Sequence, residues 1–515
     1  MNPKIYLVCV LVLACYGLSP ALNANTITVT NTNDSGPGSL RAALAVAHDG
    51  DTIDATGVSG TILLTSGELQ INHNVTIHGP GAAHLAVNGN ATDRVFENFA
   101  GPVTISGFTI THGFTSDIDG GGGILNHGGL TLSGTSILRN NTGSCGFFCN
   151  GSGGGINSNS GGTLTVTNSI ISNNSTGGGG GGMYLARGGT ATVTDSTISE
   201  NSGGFFGGGI DGGGTTMVTN STISGNTASV DGGGVFNQGD FRKNATFTGT
   251  NSTISGNTAS SRGGGVYNDI DGTLSVTNST ISGNSALSGQ GGALFNSGAA
   301  TIGDTILNAG ASGGTIDNSG GFASHGYNLA SDNGGGVLTG LDDRIYTNPM
   351  LGPLRHTGGP TFTHALLPGS PAINAGNPNF TPPPDFDQRG PGYPRVVNGR
   401  IDIGSVELQP PAAPTNLTAT ATACQEITLH WRDNSNNETG FKIEHSNNGV
   451  NFSQFATVPV HTTTYVNHLA SPGLRYYRVR AYIHVNGGDY NSGYSNIAHA
   501  TADPCPTPTP TPTPP

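Results

Sequence analysis

The stretches Asn220 to Asn237, Asn251 to Asn268 and Asn278 to Asn296 read NSTISGNTASVDGGGVFN, NSTISGNTASSRGGGVYN and NSTISGNSALSGQGGALFN. They are one unit written three times. Looser copies begin at Asn168 and Asp195, and an earlier one runs from Ser133 to Asn157, at spacings of 25 to 33 residues. A period of that length signals a solenoid. Within each unit, segments such as Thr163 to Thr167 and Thr273 to Thr277 alternate apolar residues with Ser or Thr, which is the period of a strand. A unit of short strands without a helix cannot bury its apolar face alone, so it must stack on its neighbours. The reading is all-β: a right-handed parallel β-helix over residues 25–340.

Repetition also puts like residues in columns. Asn173, Asn201, Asn226, Asn257 and Asn284 fall in one column, and Asn126, Asn237, Asn268 and Asn296 in another. Amides stacked in neighbouring coils can bond as ladders, and about a dozen coils at about 4.8 Å each make a rod of roughly 60 Å. Glycine supplies 86 of the 515 residues, which suits tight corners. Before the repeats, Gly38 to Ala47 (GSLRAALAVA) is the convincing helix, with Ser39 as N-cap and Leu40, Ala43, Leu44 and Ala47 on one face. It would plug the end of the rod, where unpaired strand edges template aggregation.

Charge narrows the partners. Only 10% of residues are charged, the formal net charge is -13, and the lysines are Lys4, Lys243 and Lys442, so no basic surface for nucleic acid exists. Residues 1–24 read as a secretory signal peptide, with an apolar run from Ile5 to Ala14 and cleavage after Ala21 or Ala24; lipid attachment at Cys15 is the other reading. No later run is long enough for a transmembrane helix. The expected place is extracellular or the bacterial cell surface, as a monomer. Cys145, Cys149, Cys424 and Cys505 remain after the signal, and two local disulfides, Cys145 with Cys149 and Cys424 with Cys505, are the simplest pairing. Zinc is the alternative for the first pair. Residues 504–515 form a Thr-Pro-rich, extended spacer.

Several segments resemble known families. Ile27 to Ile53 (ITVTNTNDSGPGSLRAALAVAHDGDTI) resembles the N-terminal motif of secreted bacterial proteins of the CSLREA type, departing from it at Gly38 and Ala42. The repeats resemble those of polymorphic outer membrane proteins, best at Gly291 to Asn296. Both resemblances imply the pectate-lyase-like β-helix superfamily. Residues 341–408, with NPMLGPL, GGPTFTHALLPGSPAINAG, DQRG and DIGSVE, resemble the choice-of-anchor Q domain, which implies surface display; from the residues alone this is a C-terminal cap in which Arg389 and Asp402 pair. Residues 411–503, with PTNLTATAT, ITLHW and YYRVRAY, resemble a fibronectin type III domain. That resemblance puts Trp431 in a sandwich core with Leu429 and Ile427; Arg475 stands where the family's corner tyrosine aligns, with Tyr476 next to it as the substitute.

The chemistry is sparse. There is no Gly-Lys dipeptide for a P-loop and no His followed by Glu for a zincin helix, and Gly310 to Gly314 (GASGG) lacks the strand-turn-helix context of a nucleophile elbow. Phe147 and Phe148 sit in the cysteine loop, and Phe205 and Phe206 at the matching place two coils later. Aromatics on turns suit sugar faces or protein partners, or else pack on one another. Asp240, Asp269 and Asp271 fall in neighbouring coils near Arg242, Lys243 and Arg262; such carboxylates gather Ca²⁺ or are solvated loop charges. Asp117 and Asp119 repeat the Asp-Ile-Asp-Gly pattern. Glycan cleavage would need two carboxylates about 5–9.5 Å apart in a groove, for which Asp195, Glu200, Asp211 and Asp231 are the candidates. The expected function is a non-catalytic rod that binds a polysaccharide or a cell-surface protein; the alternative is a polysaccharide lyase or glycoside hydrolase.

Overall fold

The computed structural model describes residues 24–143, 152–239, 244–397, 399–469, 471–485 and 488–506. Residues 1–23, where a signal peptide is expected, residues 144–151 with Cys145 and Cys149, whose expected pairing falls there, and residues 507–515 lie outside the described residues. The repeats form a parallel β-solenoid of about 11 turns. Among the described residues its strands make three sheets of twelve, seventeen and ten strands. The first runs from Thr26–Thr28 to Gly321–Ser324, the second includes Thr222–Ser224, Thr253–Ser255 and Thr280–Ala286, and the third runs from Leu69–Ile71 to Ile316–Asn318.

One unit explains the coil. Asn220 turns the corner at φ +51°, and Asn168, Asp195, Asn251, Asn278 and Asp304 hold the same left-handed conformation in other coils, which short Asn and Asp side chains tolerate. The following Ser221 receives on its Oγ the backbone N–H of Ser196, while its own N–H donates to Ser252 Oγ (3.2 Å), so serines knit the corner from coil to coil. Ile223 then faces inward, aligned with Ile198 and Ile254, and its burial contributes about 2 kcal/mol. The glycine run admits no side chain: a Cβ at Gly208 would lie 2.4 Å from the carbonyl oxygens of Gly233 and Thr227.

The asparagine ladder is present, shifted by one residue at its start. Asn140, Asn174, Asn201, Asn226, Asn257 and Asn284 are buried and linked Nδ2 to Oδ1 at 2.9–3.0 Å, over separations of 25 to 34 residues. Asn173, expected in the column, instead takes φ +57° at the exposed corner. The second column runs from Asn237 through Asn268 and Asn296 to Asn318, and again from Asn98 to Asn126.

The helix forms as expected over Leu40–Val46. Ser39 Oγ accepts the Ala42 N–H, and Leu40, Ala43 and Leu44 enter the core with Ala47. At the other end, a 3-10 turn at Gly334–Gly336 precedes Leu338, which joins the same core. The segment expected as a cap instead lies along the flank of the rod on the second sheet. Gln388 Nε2 donates to Thr222 Oγ1 (3.0 Å) while its Oε1 accepts from Thr253 (2.6 Å); His364 Nε2 meets Ser255 Oγ at 2.9 Å. Arg389 pairs with Asp387, not with Asp402, because the turn brings those two within 2.5 Å; Arg395 is the arginine on the Asp402 carbonyl.

Beyond it, antiparallel strands form two sheets, Thr415–Ala423, Glu426–Arg432 and Thr464–His468 against Ser453–Pro459, Gly440–Ser446, Gly473–Val485, Gly488–Asn491 and Ala498–Ala502. Trp431, Ile427 and Leu429 share the core as expected. Of the pair Tyr476-Tyr477 the buried ring is Tyr477, whose hydroxyl accepts from Asn467 Nδ2 at 2.8 Å, while Tyr476 lies on the opposite side of its strand beside His499. Cys424 and Cys505 form a disulfide.

Candidate functional site

The third sheet presents an outward column in which Tyr184, Asp211, Phe236, Tyr267 and Phe295 are successive cross-strand partners. Strand alternation points their neighbours, such as Ile210, Val235 and Val266, into the core. The last three rings stack at 4.9 and 5.1 Å between centroids, nearly parallel. Arg262 covers them, its guanidinium 4.9 Å from the Tyr267 ring and 5.1 Å from Phe295, and it is held there by Nε and Nη2 donating to the two oxygens of Asp231. Ring faces attract such a cation.

At Asp211 the column changes character. A carboxylate cannot continue the stack, and Phe206, on the turn of the same coil, swings over to lie on Phe236 at 4.6 Å. Phe205 is tilted beside it at 6.3 Å. The short Asp211 side chain then leaves a cleft of about 470 Å³ whose walls include Tyr184, Phe205, Phe206, Arg187, Gln238 and Ser160, a volume in the range of small-ligand sites. Arg187 stands at its exposed rim. Asp211 is at its floor, 4% exposed, with no hydrogen-bond partner for Oδ1. Burial pushes its carboxyl up to about 7. Burial, and then the charge of Asp211, push the Tyr184 hydroxyl up to about 12.

Of the predicted binding aromatics, Phe205 and Phe206 therefore line a cleft, and Phe206 also packs, joining the two readings of these rings. Phe147 and Phe148 lie outside the described residues, as does Asp240. Asp269 and Asp271 sit on one turn, where burial and the Asp271 charge push the Asp269 carboxyl up; among the described residues no third ligand joins them. Arg262, expected near them, pairs with Asp231. Asp117 pairs with Arg94 at 3.3 Å.

The four carboxylates weighed for cleavage fall in separate places rather than at one site. Asp195 and Glu200 flank the short strand Thr197–Ser199 and line a separate cavity of about 710 Å³ between the second sheet and Phe362. Asp231 is neutralised by Arg262, and Asp211 is the acid lining its cleft among the described residues.

Two clusters carried no local signal in the sequence. Buried Arg94 meets Glu68 at 3.2 Å, Glu97 at 3.6 Å and Asp117 at 3.3 Å. Burial and a hydrogen bond with Glu97 push Glu68 up to about 7; Glu97, despite its burial, is held below its ordinary value by Glu68 and His127. Glu97 is three residues from Arg94, and the coil register brings Glu68, Asp117 and His127 to them. In the sandwich, Asp433, Glu438 and His461 approach within 4.8 Å, and Glu438 accepts from Ser435 Oγ and the His461 N–H. Among the described residues no helix is long and apolar enough to cross a membrane.

No family model matches the chain, and no curated protein matches it. Among solved structures, a β-1,2-glucanase from Parabacteroides distasonis shares 23% identity over 21% of this chain and 15% of that chain, with a TM-score of 0.17. A set of titin domains shares 15% identity over 19% of this chain and 34% of that chain, also with a TM-score of 0.17.

Proposed function

We propose that the chain is an extracellular or surface-displayed rod that binds a glycan in the cleft at Asp211. The observation that carries this reading is the cleft itself: Tyr184, Phe205 and Phe206 around a buried carboxyl with an unpartnered oxygen. Flat rings offer apolar area to sugar faces while a few fixed polar groups orient hydroxyls. The solenoid supplies the register, since Tyr184 and Gln238 come from the coils on either side of Asp211, Phe205 and Phe206. In this reading the C-terminal sandwich acts as a fibronectin-type spacer, and the flank segment, similar to a choice-of-anchor Q domain, belongs to display.

A second reading draws on the same acid. A carboxyl raised to about 7 is what a general acid requires, but the residues lining the cleft include no second carboxylate to complete a glycosidase pair. Binding is thus the better-supported reading. The test is retention of the chain on immobilised glycans, alongside release of reducing ends and unsaturated products with and without Ca²⁺. Retention lost in a Phe205→Ala, Phe206→Ala double variant, with no product released, supports binding. Product lost in Asp211→Asn replaces it with catalysis.

A further inference from the structure

We propose that the Asp211 cleft recognises a primary ammonium group, that of a deacetylated hexosamine unit in a glycan. This rests on the glycan-binding reading and names the sugar. The floor of the cleft presents a carboxyl that the fold leaves without a donor at Oδ1. Buried polar atoms are almost always hydrogen-bonded, and orphaned ones are costly. The other oxygen is held close against the chain: a Cβ built at Gly179 would lie 1.9 Å from Oδ2, so glycine there makes the room in which this carboxyl sits.

The walls decide which donor fits. On this face Asp231 has its cation in Arg262, and Glu68 and Glu97 have theirs in Arg94. Arg187 at the rim bears on Tyr184, whereas Asp211 is shifted by burial alone. Arg262 fills the position over Tyr267 and Phe295; at Asp211 Phe206 and Tyr184 supply the rings, and the arginine of the cleft, Arg187, stands at its exposed rim. An ammonium brings a positive charge to the floor, N–H donors to the carboxyl and a cation to the ring faces. An N-acetyl group brings one N–H and no charge. The pyranose ring that carries the ammonium offers a flat apolar face to Phe205 and Phe206, which a flexible lysine stem does not.

The test is calorimetric titration of the full chain at pH 6.5 with three probes: a chitosan hexamer, the fully N-acetylated hexamer and a lysine-rich peptide. The expected result is at least tenfold tighter binding of the chitosan hexamer than of its acetylated form, a preference erased by Asp211→Asn, with both sugars weakened by Phe206→Ala. Equal affinity for the two hexamers overturns the ammonium assignment and leaves glycan binding standing. Binding of the peptide alone, or of none of the probes, overturns both. If Asp211→Asn does not fold, the wild-type comparison of the two hexamers decides by itself.

Discussion

Phe206 stacks on Phe236 at 4.6 Å although the two are not strand partners; the partner of Phe236 in that coil is Asp211. A turn residue has taken the rung that the strand residue vacated, and the cleft is the space left over. Phe206→Ala therefore has two effects. It removes a half-buried stacked ring, costing about 1–2 kcal/mol, and it opens the wall of the cleft, weakening glycan retention about tenfold. Phe295→Ala, at the far end of the stack, is expected to cost more, about 3 kcal/mol, and to leave retention unchanged. Urea denaturation with retention assays on both variants separates the roles; equal loss of retention would show that the whole stack, and not the cleft, holds the ligand.

The asparagine ladder makes a register-specific prediction. Asn174 accepts from Asn140 and donates to Asn201 Oδ1 and the Ile137 carbonyl, all buried. Asn174→Ala orphans several of these groups at about 1–3 kcal/mol each, so a loss on the order of 3 kcal/mol is expected. Its neighbour Asn173, exposed at φ +57°, should accept Gly with little change or a small gain. Chemical denaturation of the two variants reads the register directly: comparable losses would put the column at Asn173.

The fold was legible because its signals are local. Asn220 at a left-handed corner, Ser221 bridging coils and Ile223 in the core are each a property of one residue at one place in the repeat, and the copies reinforce them. The slip from Asn174 to Asn173 arose because both are asparagine and only the corner geometry tells them apart. The site was half legible. Phe205 and Phe206 stood out as turn aromatics, but the meeting of Phe206 with Phe236, and of Arg94 with Glu68 and Asp117, depends on which coils stack, and coils of unequal length hide that alignment. Tyr477 was missed for a similar reason: in the run Tyr476-Tyr477, only the strand's inward parity selects one ring.

The flank segment should come away when its central contact is cut. Gln388 reaches Ser221, Thr222, Thr253 and Thr361 from a fully buried position. Gln388→Leu leaves those groups unpaired, at about 1–3 kcal/mol each. The expected outcome is faster proteolysis within residues 341–408, with the solenoid's circular dichroism unchanged. Cleavage at the wild-type rate would mean that apolar contacts such as Ile306 with Ile403 suffice.

The disulfide between Cys424 and Cys505 closes a loop of sequence separation 81. Such a closure is worth about 2–4 kcal/mol, all of it within the sandwich, so reduction should lower a C-terminal melting transition and leave the solenoid's transition in place. Differential scanning calorimetry with and without reductant checks this; a shift of both transitions would show that the two parts unfold together.

The pH dependence of stability isolates Asp211. Its carboxyl titrates near 3.8 in an unfolded chain and near 7 when buried, so between those values the folded protein holds a proton that the unfolded chain releases. The group's contribution is complete below about pH 4, declines as pH rises, and is lost as pH passes 7. The groups facing it do not blur this window: burial pushes the Tyr184 hydroxyl up to about 12, and Phe236 on the next coil does not titrate. Asp402, raised to about 6 by burial, Glu68, raised to about 7 by burial, and Glu407, raised to about 10 by burial and Asp402, lie in other parts of the fold and cancel when a variant is compared with its parent. Relative to Asp211→Asn, the wild-type melting temperature should therefore fall steadily from pH 4.5 to 7.5 and then run parallel to it. A constant difference across that range would mean that the carboxyl is ionised throughout, and that water or a donor from outside the described residues already satisfies the floor of the cleft.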